Sequence, residues 1–189
     1  MSESPYPQTP ADKVLYAEQL KAEGNALFGQ GQFQKAISKY VKIFAWTTGL
    51  KQPQMGMESL LAQNPNNVLP TVTDELSQRI DAIQLSANLN ATQCYLKLND
   101  PARALKFANK ALELDQQNIK ALFRRGLAFA GLRDNDSAER DLAQALALSP
   151  NDTGIQKTLK AVRAKLKAEE KKHAKKWQGA FEKMNLDEE

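Results

Sequence analysis

Lys120 and Arg124 stand four residues apart, so on a helix two cations share one face. That arrangement costs an isolated helix roughly 0.2 to 0.5 kcal/mol, and a local rule broken in this way points to function. Lys21 and Asn25 repeat the spacing, and Asn90 supplies a second amide. Brought together, three cations and two amides make a receptor for carboxylates. A peptide ending in Asp offers two of them a short distance apart, on its side chain and its free C-terminus. Charge-assisted hydrogen bonds contribute roughly 1.5 to 3 kcal/mol each. Ordering an extended peptide offsets much of that, so the expected affinity is ~1 to 100 μM, about −8 to −5.5 kcal/mol.

Other chemistries find few residues to use. Cys94 is the only cysteine and His173 the only histidine, which excludes an internal disulfide and a His/Cys zinc cluster within one chain. A Ser-His-Asp or Cys-His-Asp site would depend on His173, in a lysine-rich tail. No phosphate loop, paired-histidine metal motif or strand-to-helix nucleotide fingerprint is present. The sequence therefore predicts no enzyme, no cofactor and no metal.

The elements that must hold the polar residues are helices. The chain has 189 residues, 42% apolar and 25% charged, enough for an ordinary globular core. Apolar positions recur at helical spacing and no segment alternates as a strand does, so the predicted class is all-α. No stretch approaches ~20 apolar residues, and the N-terminus lacks the pattern of a secretory signal. These features predict an intracellular chain without membrane insertion, in a cytoplasmic or nuclear setting. The glycosylation sequons at Asn90 and Asn151 read as chance occurrences.

Leu85 to Asn118 laid over Ile119 to Asp152 gives two consecutive units of 34 residues. Ala91, Tyr95, Ala104, Ala108 and Ala111 fall on Arg125, Phe129, Ala138, Leu142 and Ala145. An earlier unit, Ala17 to Leu50, fits the frame through Leu20, Gly24, Leu27, Ala36, Tyr40 and Ile43. Small residues such as Gly24 and Gly126 let paired helices approach closely while large ones fill the gaps. Lys51 to Val72, rich in Gly, Pro and Asn, reads as an insertion. Thr73 is the candidate N-cap of a long first helix for the second unit, running to Leu98. After Pro150-Asn151-Asp152 one helix is expected from Thr153 to about Met184. Its stripe Ile155, Leu159, Val162, Leu166 would dock on the third unit, and its second half would project into solvent. The predicted organisation is a flexible terminus at 1–10, repeats over 11–152 interrupted at 51–72, a capping helix at 153–184 and an acidic tail at 185–189. Residues 153–189 hold 10 basic and 6 acidic side chains, leaving 16 of each in the rest, so the tail carries the whole net charge of +4.

The period and the small/large pattern resemble the tetratricopeptide repeat, whose fold would be three repeats stacked as a right-handed superhelix with a long C-terminal capping helix. The segments Lys21-Ala22-Glu23-Gly24-Asn25, Asn90 and Lys120 to Gly126 resemble the carboxylate-clamp tetratricopeptide domains of heat-shock co-chaperones. The similarity extends through Lys42 to Trp46, Cys94 to Leu98 and Asn109 to Asp115, and covers about residues 11–184. Within this group the chain is similar to the C-terminal domain of the large FK506-binding immunophilins, and in layout to the stand-alone tetratricopeptide repeat protein 9 family. Only about 10 residues precede the first helix, so no isomerase domain is expected. The resemblance implies that the first helix of each unit lines a groove in which Lys21, Asn25, Asn90, Lys120 and Arg124 form the clamp. The implied ligand is the C-terminal Met-Glu-Glu-Val-Asp of the 90-kDa heat-shock protein, with the related tail of the 70-kDa class. Phe28 would pack on an upstream apolar side chain of that peptide and Lys97 would meet an acidic one.

Blander readings stand beside these. Surface Lys and Arg are ordinarily just solvated, and Asn25 and Asn90 can instead bond helix to helix. Tyr40, Tyr95, Phe107 and Phe129 read as packing residues, Cys94 as a small core side chain, and Trp46 as a ring buried near the insertion. The alternative function places the binding surface on Lys165 to Lys176 with Trp177 and Phe181, offering calmodulin (165–181) or another acidic partner a basic helix. Nucleic acid is disfavoured there, because Glu169 and Glu170 interrupt the lysines.

Overall fold

The computed structural model describes residues 7–50 and 72–186, with the backbone alone for 179–186. Most of the insertion at 51–71 and the acidic end at 187–189 lie outside the described residues. The chain divides into two compact units, Met1–Gln116 and Gln117–Glu189, and the described residues are helices and turns only.

The first unit holds α1 (Pro10–Gly29), α2 (Phe33–Thr47), α3 (Asp74–Lys97) and α4 (Pro101–Leu114). Helix α1 starts where a capping box can form. The Thr9 hydroxyl accepts from the Asp12 backbone N–H, the Asp12 carboxylate accepts from the Thr9 N–H, and Pro10 occupies the first turn, where its missing donor costs nothing. As expected, Thr73 caps α3 by accepting from the Leu76 N–H at 3.2 Å. At 24 residues α3 outruns its neighbours. Its additional turns are held by Ile80 and Ile83, both buried, by an Arg79–Glu18 ion pair at 2.9 Å, and by a bond from Gln84 to the buried Thr47 hydroxyl. Each helix packs on the next, and α1 also touches α3.

Close approach of α1 and α2 depends on Gly24. A Cβ there would lie 2.5 Å from Tyr40 Cε1, so only glycine lets the Tyr40 ring, 1% exposed, lie against the α1 backbone. Cys94 is fully buried, Tyr95 stacks on Phe107 at 5.4 Å, and Trp46 is half-buried with its ring edge-on to Tyr16.

The second unit holds α5 (Ile119–Gly131), α6 (Asn135–Leu148) and α7 (Thr153–Leu186). Gly126 does for α5 and α6 what Gly24 does in the first unit, with Leu142 Cγ 2.8 Å from where a Cβ would stand. Ala138, Leu142, Leu159 and Val162 form a buried cluster over which Phe123, Phe129 and Leu166 pack. Ile155 is also buried, so the stripe predicted on the last helix docks as far as Leu166. Glu169 accepts from Asn135 at 3.0 Å, and from Lys167 through Gln178 every residue is exposed. The Phe181 side chain lies outside the described residues.

The turns between paired helices repeat with the sequence. Gly31, Asn99 and Arg133 take φ of +74°, +56° and +64°, the last two one period apart. The next residue starts a helix: Asp100 accepts from the Arg103 N–H and Asp134 from the Ser137 N–H. These backbone bonds hold both carboxyls below the usual carboxylate range.

Candidate functional site

In the first unit Lys21 and Asn25 lie one turn apart on α1, and Asn90 lies on α3. Asn25 and Asn90 meet: Asn90 Nδ2 donates to Asn25 Oδ1 at 3.0 Å. The same oxygen accepts from the Tyr40 hydroxyl at 2.9 Å. The helix-to-helix bond weighed from sequence thus exists, and it consumes acceptor capacity only. The donors of Asn25, which a carboxylate would need, are not used by any hydrogen bond among the described residues. Burial pushes the Tyr40 phenol up to about 12, with the nearby Cys94 adding to the shift and the Asn90 amide opposing it. Tyr40 therefore stays a protonated donor at every physiological pH.

Lys21 is half-buried. The nearest carboxylates along the helix are already engaged, Glu18 by Arg79 and Glu23 by Lys39 at 2.5 Å. Among the described residues Lys21 has no ion pair, and a cation without a fixed counter-charge is available to an anion from outside. Phe28, one turn beyond Asn25, is half-buried and packs edge-on to Phe33 at 5.3 Å. Lys97 is exposed at the end of α3.

In the second unit Lys120 is exposed and Arg124 half-buried, one turn apart on α5. Asn118 caps this helix by accepting from the Ala121 N–H at 3.0 Å, which sets Lys120 in its first turn. The adjacent Arg125 has a different task. It holds Asp141 by two bonds, at 2.6 and 2.8 Å, and lies over the Phe129 ring. In the sequence Arg125 stands out only as a frame position within the Lys120 to Gly126 segment. The available signal was the paired replacement of Ala91 and Phe107 by Arg125 and Asp141 one period later. Among the described residues no group of His, Cys, Asp and Glu could hold a metal ion, and no helix is long and apolar enough to cross a membrane.

The family model of the tetratricopeptide repeat matches residues 85–118 and 119–152. Residues 85–152 are two tetratricopeptide repeats. Their boundaries are those read from the internal period, and the all-α fold is that of tetratricopeptide proteins. Over 178 residues the chain is 29% identical to the peptidyl-prolyl cis-trans isomerase FKBP4 of Mus musculus, covering 94% of this chain and 35% of the relative. The chain thus spans about a third of the length of the FKBP4 relatives it matches. Among solved structures it resembles the C-terminal tetratricopeptide-containing domain of a Plasmodium falciparum FK506-binding protein, at 28% identity and TM-score 0.72, covering 89% of this chain and 99% of that one. It also resembles the first tetratricopeptide domain of Spaghetti (RPAP3), whose structure holds the HSP90 peptide SRMEEVD, at 25% identity and TM-score 0.57, covering 79% and 92%. The expected likeness to the tetratricopeptide domains of FK506-binding proteins therefore holds.

Proposed function

We propose that this chain is a non-catalytic adaptor that binds the acidic C-terminal peptide of the 90-kDa heat-shock protein, of the type Met-Glu-Glu-Val-Asp, and also the related tail of the 70-kDa class. The observation that carries this reading is the similarity to a tetratricopeptide domain solved with such a peptide. The side chains support it: Lys21, Asn25, Asn90, Lys120 and Arg124 are donors of the right kind for two carboxylates, with Phe28 and Lys97 as auxiliary contacts. The terminal carboxylate and the Asp side chain would be shared among them, and no bond in the peptide is made or broken.

The test is calorimetric titration with acetylated Met-Glu-Glu-Val-Asp beside the same peptide amidated at its C-terminus. Binding near ~10 μM that is lost on amidation is expected. Lys120→Ala and Arg124→Ala, with unchanged circular dichroism, should each weaken it by roughly 10- to 150-fold, the equivalent of one charge-assisted bond. Retained affinity in both variants overturns the proposal.

The exposed run from Lys167 to Gln178 favours a second reading, capture of calmodulin or another acidic partner by the basic helix. Such binding would fall steeply with salt and vanish on truncation after Lys167, whereas peptide capture would survive that cut.

A further inference from the structure

We propose that Tyr40 is a positioning residue whose buried hydroxyl decides which end of the Asn25 amide faces outward from α1. The proposal rests on the carboxylate-binding reading of Asn25 given above. An asparagine amide has an acceptor end and a donor end that exchange when its terminal torsion turns by half a rotation. Only the donor end can hold a carboxylate, so an exposed asparagine free to present either end is a weak anion ligand.

Here the choice is made by two donors. Asn25 Oδ1 accepts from Tyr40 at 2.9 Å and from Asn90 Nδ2 at 3.0 Å. Turning the amide over would set Nδ2 of Asn25 against Nδ2 of Asn90, donor against donor, and would leave the buried phenol without its acceptor. The two N–H groups of Asn25 therefore point away from Tyr40 and Asn90, as a carboxylate requires.

Tyr40 cannot drift from this task. Its ring is 1% exposed and is pressed on the α1 backbone at Gly24, where a Cβ would come within 2.5, 2.9 and 3.0 Å of three ring atoms. The absent side chain at Gly24 lets the hydroxyl arrive beside the next residue, Asn25. For packing alone a phenylalanine would serve, so the hydroxyl is the part of Tyr40 that the core does not need.

The experiment compares the full chain with Tyr40→Phe, reading the Asn25 side-chain amide resonances by NMR and the affinities for the free-acid and amidated peptides. The variant should move the Asn25 resonances and weaken the free-acid peptide by roughly 3- to 10-fold, the loss of one hydrogen bond's orientation. The amidated peptide should bind no better to the variant than to the parent, so the ratio by which the free acid is preferred shrinks. A purely structural Tyr40 would instead lower the melting temperature and leave that ratio unchanged, which, with unmoved Asn25 resonances, overturns the proposal. If the wild-type chain ignores both peptides, the chaperone-tail reading falls, and the resonances alone decide the orientation. Asn25→Asp provides a second route should Tyr40→Phe not fold. Its carboxylate still accepts from Tyr40 and Asn90 but offers no N–H, so the free-acid preference should shrink, and an unchanged preference overturns the proposal.

Discussion

Glycine to alanine is one chemical change, yet at Gly24 and Gly29 it should have opposite signs. Nothing lies within 4 Å of a Cβ at Gly29, so alanine there gains helix propensity, up to about 1 kcal/mol. At Gly24 the same gain is opposed by a clash with the Tyr40 ring, and overpacking costs about 1 to 3 kcal/mol. Urea unfolding should find Gly29→Ala more stable and Gly24→Ala less stable than the parent. Tyr40 also ties stability to pH. Its phenol sits at about 12 in the folded chain against an ordinary 10.0, because burial disfavours the anion. The folded state thus keeps the proton longer than the unfolded one. The stabilisation is complete below pH 10 and is lost as pH rises from 10 towards 12. Unfolding midpoints measured across that range should fall, and should fall less in Tyr40→Phe.

Among the helices, α2 begins without the device that starts α4 and α6. Gln32 stands where Asp100 and Asp134 stand in the later repeats and makes no capping bond. Gln32→Asp should therefore stabilise the chain by about 0.5 to 1 kcal/mol, read as a shift in the urea midpoint at constant slope. Features of this kind were legible in the sequence because they are local. The Thr73 cap and the docking stripe of α7 involve residues a few positions apart, the 34-residue period repeats such short patterns, and the structure follows them closely. Helix α1 starts at Pro10, a residue before the expected edge, and α7 runs to Leu186, past Met184, since helix ends depend on single caps. Of what joins separate helices, the Asn25–Asn90 bond was open to reading as an alternative, but the Tyr40 hydroxyl bond and the Arg125–Asp141 pair were not. The oxygen of Asn25 meets residues 15 and 65 positions away in the chain. Arg125 and Asp141 form a pair only because α5 and α6 pack face to face. Periodicity reports which face a residue occupies and is silent on its partner across the interface.

For the molecule as a whole, the basic end of α7 should matter little to folding. Beyond Glu169 every side chain described as far as Gln178 is exposed, so truncation after Lys172 should leave the melting temperature unchanged within error. Truncation after Gly154 is a different experiment. It removes Ile155, Leu159 and Val162, each buried and each contributing about 1.5 to 3 kcal/mol, and should cost the second unit its cooperative transition in calorimetry. The first unit carries its own indicator of such changes. Cys94, the only thiol of the chain, is wholly enclosed there, while the second unit has none. A thiol reagent can therefore label the protein only when the first unit opens. The labelling rate would time that opening from a natural residue, with no probe introduced and no signal from the rest of the chain.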